Sequence, residues 1–370
     1  MKIAADQKIN NTVDSNIFAY GLTEAGNIPS YSSLMKQLGQ PSFRAKQLAQ
    51  WLWVHKVASY NEMTNLSADL RAQLKKHTPL QRATVEKVQQ SKDGTRKYLL
   101  HFADGVCVEV VGLPSLDQKS QRLTVCISAQ AGCALKCSFC ATGQSGLIRN
   151  LLPGEIAEQV RIVGDDFDCR VSNVVVMGQG EPFQNYDATL AGLRILNAAE
   201  ADGGFEIGAR HITVSTAGII KGIERLSTEP EQFTLAVSLH SAVQATRDTL
   251  MPGLQGQTLE QLEAALIDYY AKTNRRPSLE YALIDKVNTT GPENIALIKF
   301  AKKTRAHVNL IPLNAIDNAV KSLSSKKLKP AGQLEALHLA NTLRPEGIPV
   351  TVRARRGADI DAACGMLKGS

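Results

Sequence analysis

The segment GCALKCSFCATG contains three cysteines, Cys133, Cys137 and Cys140, in a C-x3-C-x2-C spacing. Three thiolates on one short loop can ligate three irons of a [4Fe–4S] cluster and leave the fourth iron open to bind and reduce a small molecule. No Cys or His follows within twenty residues, and the nearest upstream thiol is Cys126. A structural zinc site requires four protein ligands, so the spacing favours the cluster and leaves zinc as the alternative.

The remainder of the composition is typical of a globular protein. The chain has 370 residues, of which 44% are hydrophobic and 21% charged, enough for one barrel-type domain and a small accessory domain. The first residues, MKIAADQKINNTVDSN, include no apolar segment of signal-peptide length. No run of eighteen apolar residues occurs, which excludes a membrane-spanning helix. Seven cysteines without a secretion signal predict a reducing, cytoplasmic location.

The chain is basic, with a net charge of +7 and a pI of about 9.0. A basic surface suits a polyanionic partner such as nucleic acid. The basic residues form three local groups: Lys75 and Lys76; Lys326, Lys327 and Lys329; Arg353, Arg355 and Arg356. The second group is expected to be a solvated surface.

Periodicity divides the chain into four regions. Residues 1–26 are polar and aperiodic and are predicted to form a flexible tail; residues 27–80 have helical periodicity and are predicted to form an accessory domain. Residues 81–121 alternate in polarity, with turn signals, and predict a β-hairpin linker. Residues 122–370 alternate strand and helix, which predicts a parallel sheet with helical crossovers, curled into a barrel or open. Strands are predicted near 123–128, 172–177, 212–215, 234–238, 279–284, 307–311 and 349–353.

Polar residues follow these strands at their carboxyl ends. The three-cysteine loop is expected to follow the first strand, and other polar residues follow later ones: Gly178 to Glu181, Ser215, Thr216 and Gly218, Ser238 and His240, Asn314, and Cys364. The carboxyl ends of parallel strands are where β/α barrels assemble their active sites. The sequence therefore predicts one site at this edge of the sheet.

With these residues placed, the chain resembles the RlmN/Cfr family of radical S-adenosylmethionine (SAM) RNA methyltransferases. The similarity extends from about residue 29 to 368 and includes FRAKQL, TVCISAQAGCALKCSFCATG, MGQGEP, ITVSTAG, AVSLH and DIDAACG. The resemblance implies an α/β fold: a radical SAM partial (β/α) barrel with a small N-terminal helical accessory domain, which binds RNA, and a short β linker.

The resemblance also implies the cofactors and their ligands. Cys133, Cys137 and Cys140 would hold a [4Fe–4S] cluster, and two SAM molecules would be used per turnover. The SAM-binding positions would be Gly180, Glu181, Ser215, Ser238, Leu239, His240 and Asn314. A carboxylate can bind the SAM ammonium group, and glycines allow close approach of a ligand to the backbone. Each polar residue also has a purely structural alternative: a helix cap for Ser215, a strand-end histidine for His240 and a turn for Asn314.

Three catalytic residues follow from the same resemblance. Cys364 would take a methyl group from SAM as a thiolate, and Cys126 would later form a disulfide with Cys364 to release the methylated base. Glu109 would accept the proton from the adenine carbon. The alternative is that Glu109 faces solvent, because its neighbours Val108 and Val110 point the other way. Cys107 and Cys169 match no functional motif and are expected to be structural.

The implied substrates are an adenosine in the peptidyl-transferase centre of 23S rRNA and an adenosine beside the tRNA anticodon. Modification of a base requires an unstacked nucleotide, and folded RNA is recognised by shape, phosphates and exposed bases. Candidate contacts in the accessory domain are Arg44, Trp51, Trp53 and Lys56, and the two tryptophans are equally compatible with a core position. A flavodoxin-type system is the implied one-electron donor. The sequence indicates no oligomeric state.

Other interpretations remain open. The chain has Gln179 where the family motif MGMGEP has methionine and Leu313 where tryptophan is usual, and it stops six residues after Cys364. Within the family, C8 of the rRNA adenosine, rather than C2, is the alternative target. Outside it, a non-catalytic Fe–S or zinc RNA-binding protein using Cys126 as fourth ligand leaves Cys364 without a role. A radical SAM enzyme acting on another substrate, such as a peptide, leaves the basic helical region unexplained.

Overall fold

A computed structural model describes residues 30–117, 119–314 and 328–368. The predicted tail at 1–26, and Lys326 and Lys327 of the second basic group, lie outside the described residues. Within the described ranges, no helix has the length and apolar character needed to cross a membrane.

The described chain forms helices and strands whose bounds are as follows. The helices are α1 (Tyr31–Gln37), α2 (Phe43–Ala49), α3 (Ala68–His77), α4 (Ala141–Ser145), α5 (Pro153–Asp166), α6 (Tyr186–Asn197), α7 (Ile220–Leu226), α8 (Gln244–Leu250), α9 (Leu259–Thr273), α10 (Gly291–Lys303) and α11 (Gln333–Leu343). The strands are β1 (Thr84–Gln90), β2 (Arg96–His101), β3 (Cys107–Pro114), β4 (Leu123–Cys126), β5 (Gln130–Gly132), β6 (Leu147–Asn150), β7 (Asn173–Val176), β8 (Ile212–Thr216), β9 (Thr234–Ser238), β10 (Ser278–Leu283), β11 (His307–Pro312) and β12 (Val350–Val352).

Ten strands form one sheet in the order β1-β2-β3-β4-β7-β8-β9-β10-β11-β12. The pairings from β1 to β4 are antiparallel, and those from β4 to β12 are parallel. All seven strands predicted for the α/β region are present, each followed by helical or loop crossovers, so the predicted α/β class is confirmed. Residues of β4 and residues after β12 line the same cavity, which shows that the sheet curls on itself as a partial barrel does.

The predicted position of the three-cysteine loop is wrong by one element. After β4 the chain passes through residues 127–129 and forms the hairpin strand β5, which pairs with β6 in a separate two-stranded sheet. Ile127 still extends the parallel pairing, because its N–H donates to the carbonyl of Val175 at 2.9 Å. The cysteine loop follows β5 and therefore lies between the two strands of this hairpin.

The N-terminal helices share one hydrophobic core with the α/β region. Trp53 is buried and donates its indole N–H to the Tyr31 hydroxyl at 3.2 Å. The core interpretation of Trp53 is therefore confirmed, whereas Trp51 is half-buried and bonds Asn65 at 2.6 Å. Lys56 pairs with Asp165 of α5 at 2.5 Å, so this candidate RNA contact helps to hold the two regions together.

Candidate active site

A cavity of about 520 Å³ opens at the carboxyl ends of the parallel strands, a volume typical of small-molecule sites. Most of the predicted site residues line it: Cys126, Cys133, Cys137, Cys140, Gly180, Glu181, Ser215, Ser238, His240, Asn314 and Cys364. Two predicted residues, Glu109 and Leu239, are not among the lining residues. Leu239 is buried, and its backbone N–H donates to the Glu280 carbonyl at 3.0 Å.

Backbone hydrogen bonds fix the cysteine loop at both ends. The N–H of Cys133 donates to Gly146 at 2.8 Å, and that of Cys140 to Cys137 at 3.1 Å. Gly132, with φ of +75°, allows this approach, because a Cβ there would lie 1.9 Å from the Gly146 oxygen. Burial raises the pKa of Cys133 to about 11, with Cys140 adding to the shift.

The three thiols suit a polynuclear cluster better than a single ion. In a tetrahedral zinc site, sulfurs about 2.3 Å from the metal lie about 3.8 Å from one another. Among the described residues, the only three-ligand set with all donor atoms within 4.8 Å is elsewhere, at Glu86, His101 and Cys107. The sulfurs of the cysteine loop are therefore spread more widely, as expected where each thiolate binds its own iron.

The Gly178–Glu181 loop packs against the segment after β4. A Cβ on Gly178 would lie 2.7 Å from the Ser128 hydroxyl oxygen, and one on Gly180 would lie 2.4 Å from the Cβ of Gln130. Gly180 also has φ of +94°, which favours glycine. These glycines allow two loops of the protein to lie in contact. The sequence predicted only that they let a ligand approach the backbone.

Glu181 is a buried carboxylate whose oxygens are bound by backbone groups. Its side chain accepts the N–H of Phe183 at 2.9 Å and that of Ala217 at 2.6 Å. Burial raises its pKa to about 7, against the opposing effect of these hydrogen bonds and of the Thr216 hydroxyl. A carboxylate fixed beside the cysteine loop suits a cationic ligand group such as an ammonium.

His240 supports the cysteine loop and remains neutral. Its Nδ1 accepts the N–H of Ala282 at 3.0 Å, which leaves Nε2 as the protonated nitrogen. Burial, with the nearby charge of Arg247, lowers its pKa to about 3. Its ring contacts Phe139, between two of the cysteines, edge-on with centroids 4.5 Å apart. His240 has φ of +55°, a conformation that is uncommon for non-glycine residues.

The sequence analysis missed Arg247, a buried guanidinium beneath the cavity. It donates to the carbonyls of Ser238, at 2.9 Å, Leu239, and Ala217, at 2.5 Å. These carbonyls follow β8 and β9, so Arg247 fixes two neighbouring strand ends. Burial lowers its pKa to about 10. Arg247 occurs in the amphipathic segment QATRDTL, as an ordinary surface arginine would. The sequence therefore gave no indication that its side chain is buried.

Two further thiols line the cavity, Cys126 at the end of β4 and Cys364 after β12. Cys126 is buried, which raises its pKa to about 12. Cys364 is accessible from the cavity, although loss of surrounding water still raises its pKa. Arg353 lowers the pKa of both thiols and is the cation they share.

Glu280 is a second buried carboxylate of the cavity that the sequence analysis missed. It raises the pKa of Cys364, and it accepts hydrogen bonds from Ser278 and Asn309, both at 2.8 Å. A charged residue inside the largely apolar strand segment SLEYAL could have identified Glu280 as a buried functional residue.

The segment carrying Cys364 is held by contacts on several sides. The Gly365 carbonyl accepts the N–H of Ala141 at 2.7 Å, and the Leu367 carbonyl accepts the Thr142 hydroxyl at 2.7 Å. Asn314 donates its side-chain N–H to the Cys364 carbonyl at 3.2 Å. Asn314 thus contacts the reactive segment directly, beyond its predicted role in binding SAM.

Glu109 is buried, so the alternative of a solvent-facing glutamate is wrong. Its carboxylate pairs with Lys97 at 2.8 Å and accepts the backbone N–H of Lys368 at 2.5 Å. Its own backbone is bound on both sides, since its N–H donates to Gln179 Oε1 at 3.0 Å and its carbonyl accepts the Ser128 hydroxyl at 2.8 Å. The family-atypical Gln179 therefore connects the Gly178–Glu181 loop to Glu109.

Comparison with known proteins agrees with this geometry. Residues 28–80 match the model of the ribosomal RNA large subunit methyltransferase N-terminal domain, and residues 127–266 match the radical SAM superfamily. A Staphylococcus aureus protein named "Probable dual-specificity RNA methyltransferase RlmN" is 43% identical over 335 residues, which cover 89% of this chain and 88% of that protein. The crystal structure of a radical SAM methyltransferase from Sphaerobacter thermophilus superposes with a TM-score of 0.84 at 39% identity, covering 96% of this chain and 100% of that one. The chain therefore belongs to the RlmN family of radical SAM RNA methyltransferases.

Proposed function

We propose that this enzyme methylates C2 of an adenosine in the peptidyl-transferase centre of 23S rRNA, and of the adenosine beside the tRNA anticodon, through an S-methylated Cys364. The observation that carries the proposal is that Cys126 and Cys364 line the same cavity as the three cluster cysteines. A radical SAM enzyme without a thiol-based transfer step would have no use for this second pair.

The cofactor end of the cavity fits the groups that the family uses. Cys133, Cys137 and Cys140 would hold a [4Fe–4S] cluster, which would supply the electron for reductive cleavage of SAM. Glu181 is proposed to bind the SAM ammonium group, and the lining residues Gly180, Ser215, Ser238, His240 and Asn314 are proposed to contact the remainder. A flavodoxin-type protein is the proposed electron donor.

The two remaining thiols divide the transfer between them. Cys364, the accessible thiol, carries the methyl group and then the tethered base, and a separate SAM supplies that methyl group. Cys126, as a thiolate, attacks the Cys364 sulfur; the S–S bond forms as the bond between that sulfur and the carbon on the base breaks, and this carbon takes a proton to become the methyl group. A thiol reductant then returns the disulfide to two thiols. Both thiols are protonated at rest because their pKa values are raised. Arg353 opposes this shift for both, so it is the residue that favours thiolate formation.

Glu109 is proposed as the base that accepts the proton from the adenine carbon. Its carboxylate is already aligned by Lys97, while the Lys368 N–H occupies its other oxygen. This role therefore requires the C-terminal segment to move away from Glu109 when RNA enters.

RNA binding is proposed for the N-terminal helices and the cavity rim. The rim carries Arg122, Arg353 and Arg355, whereas Arg356 beside them is paired with Asp93. Lys75 and Lys76 are exposed at the end of α3. Such positive charge suits phosphates of a folded RNA from which one adenosine is unstacked. These substrates are cytoplasmic, in agreement with the location predicted from cysteine usage.

The test is an anaerobic assay of reconstituted enzyme with SAM, reductant and an unmethylated 23S rRNA fragment, or tRNA, followed by mass spectrometry of the digested nucleosides. We expect 2-methyladenosine. The Cys126→Ala variant should accumulate an RNA crosslink through Cys364, while Cys169→Ala, altered at a thiol outside the cavity, should turn over normally. Formation of 8-methyladenosine would move the target to C8. Cleavage of SAM without any methylated nucleoside would refute the RNA substrate.

A further inference from the structure

A second group of metal-ligand side chains lies on the antiparallel part of the sheet. Glu86, His101 and Cys107 each place one donor atom within 4.8 Å of the other two. They belong to β1, β2 and β3, and none of them lines the active-site cavity. The active site therefore does not account for this group.

The backbone explains why the three side chains meet. His101 and Cys107 are direct cross-strand partners where the β2–β3 hairpin closes, and such pairs lie on one face of a sheet. The pairing of β1 with β2 shifts register between Val85 and Lys87. This bulge leaves Glu86 outside the regular ladder and turns it towards the same face.

The three donor atoms lie close enough together for one metal ion to reach all of them. Cys107 Sγ lies 3.2 Å from His101 Nε2, and Nε2 directly contacts Oε2 of Glu86, so the exposed Glu86 carboxylate would have to turn away from the ring to admit an ion between them. Sulfur and nitrogen donors on a tetrahedral zinc ion lie about 3.5 Å apart. The carboxylates of Glu86 and Asp104 place negative charge near the Cys107 thiol. A divalent cation would offset the same negative field.

We propose that Glu86, His101 and Cys107 form a zinc-binding site separate from the iron–sulfur site, with a fourth position open to water. A thiol and an imidazole select a borderline metal such as zinc over magnesium or calcium, which prefer oxygen ligands alone. Binding replaces the thiol proton of Cys107, which leaves to solvent, and involves no redox change. The ion would join the exposed edge strand β1 to the β2–β3 hairpin.

The test uses the full-length chain with Cys133, Cys137 and Cys140 replaced by alanine, so that neither the cluster nor zinc can occupy those thiols. Zn²⁺ is titrated in competition with a chromophoric chelator, and Co²⁺ is added separately to detect thiolate-to-cobalt charge transfer. We expect about one tightly bound zinc ion per chain and a charge-transfer band.

Three variants in this background locate the site. Cys107→Ser should abolish the charge-transfer band, and Glu86→Gln, at an exposed position where misfolding is not a concern, should weaken zinc affinity by more than about tenfold. Cys169→Ser, the matched thiol control, should bind zinc as the parent does. In the reconstituted holoenzyme, Cys107→Ser should lower zinc content and leave iron content unchanged. A parent without zinc, or zinc retained in both Cys107→Ser and Glu86→Gln, would overturn the proposal.

Discussion

Buried polar side chains form one end of the active-site cavity, whereas an accessible thiol on the C-terminal segment forms the other. At the cofactor end, Glu181, His240 and Arg247 are at most 6% exposed, and backbone groups bind their polar atoms. At the thiol end, Cys364 is exposed and its segment is held by individual hydrogen bonds from Ala141, Thr142 and other neighbours.

This difference matches what each end has to do. A site that binds SAM in one fixed orientation benefits from preorganised groups, which need no rearrangement during the reaction. In the proposed mechanism Cys364 reaches a methyl donor, then RNA, then Cys126, which requires its segment to move during each turnover. A rigid cofactor end would bind SAM in one orientation, and a thiol end held by separable contacts would allow the Cys364 segment to move.

The largest expected effect is on the cofactor end, through Arg247→Met. The substitution removes the guanidinium donor from the carbonyls of Ala217 and Ser238, while the Leu239 carbonyl keeps the N–H of Ser241. Each buried unsatisfied acceptor costs about 1–3 kcal/mol. We expect the free energy of unfolding of the cluster-free protein to fall by on the order of 3 kcal/mol, measured by urea denaturation. Arg276→Met, at an exposed position away from the cavity, should change it by less than about 0.5 kcal/mol. Equal losses in both variants would show that Arg247 has no special role in the fold.

Glu181→Gln keeps the shape of the side chain and removes its charge. Because a hydrogen bond to a charged group contributes about 1.5–3 kcal/mol, we expect SAM affinity to fall about 10- to 100-fold, measured by equilibrium binding to anaerobically reconstituted protein. The matched control is Glu280→Gln, at another buried carboxylate of the cavity, which should bind SAM nearly as the parent does. If both variants lose affinity equally, general electrostatics rather than a contact from Glu181 would explain the loss.

The cofactor end was the more predictable part of the sequence. Its residues follow strands whose β-α alternation is regular, so their common position follows from the parallel topology alone. Cys133, Glu181 and His240 were found in this way, and all line the cavity. The hydrogen bonds from Arg247 to the backbone near these residues were not predictable, because they join carbonyls that are brought together only in the folded chain.

The environment of Glu109 could not be derived from local pattern either. Alternation along β3 correctly separates Glu109 from Val108 and Val110, but it cannot show that the C-terminal residue Lys368 covers the opposite face of the sheet. Likewise, Gln179 was noted only as a departure from the family motif, while its contact with the Glu109 N–H depends on tertiary packing. Long-range contacts of this kind leave no periodic signal in the sequence.

Gln179→Met should separate SAM cleavage from methyl transfer. The change installs the residue usual in the family and removes the acceptor for the Glu109 N–H, a contact of about 0.5–1.5 kcal/mol. If Glu109 is the base, we expect RNA methylation to slow about 2- to 10-fold while 5′-deoxyadenosine formation stays unchanged; both products are quantified by mass spectrometry. A parallel fall of both products would instead indicate damage to the neighbouring Glu181 loop.

The smallest expected effect concerns the mobility of the Cys364 segment. Thr142→Val preserves side-chain shape and removes the hydroxyl that donates to the Leu367 carbonyl. Since one such hydrogen bond contributes about 0.5–1.5 kcal/mol, alkylation of Cys364 by iodoacetamide should speed up about 2- to 10-fold, followed by peptide mass spectrometry. Cys126 should stay unreactive in parent and variant alike, because it is buried and its pKa is about 12.

Thr216→Val is the matched control at the cofactor end, where the hydroxyl accepts the N–H groups of Gly218 and Ile219. It should leave the alkylation rate of Cys364 as it is in the parent. A comparable acceleration in Thr216→Val would mean that loosening either end frees the thiol, and the two ends would then behave as one mechanical unit. Acceleration in Thr142→Val alone would mean that the C-terminal segment opens independently of the SAM site, which is the motion that the proposed transfer from SAM to Cys364 to RNA requires.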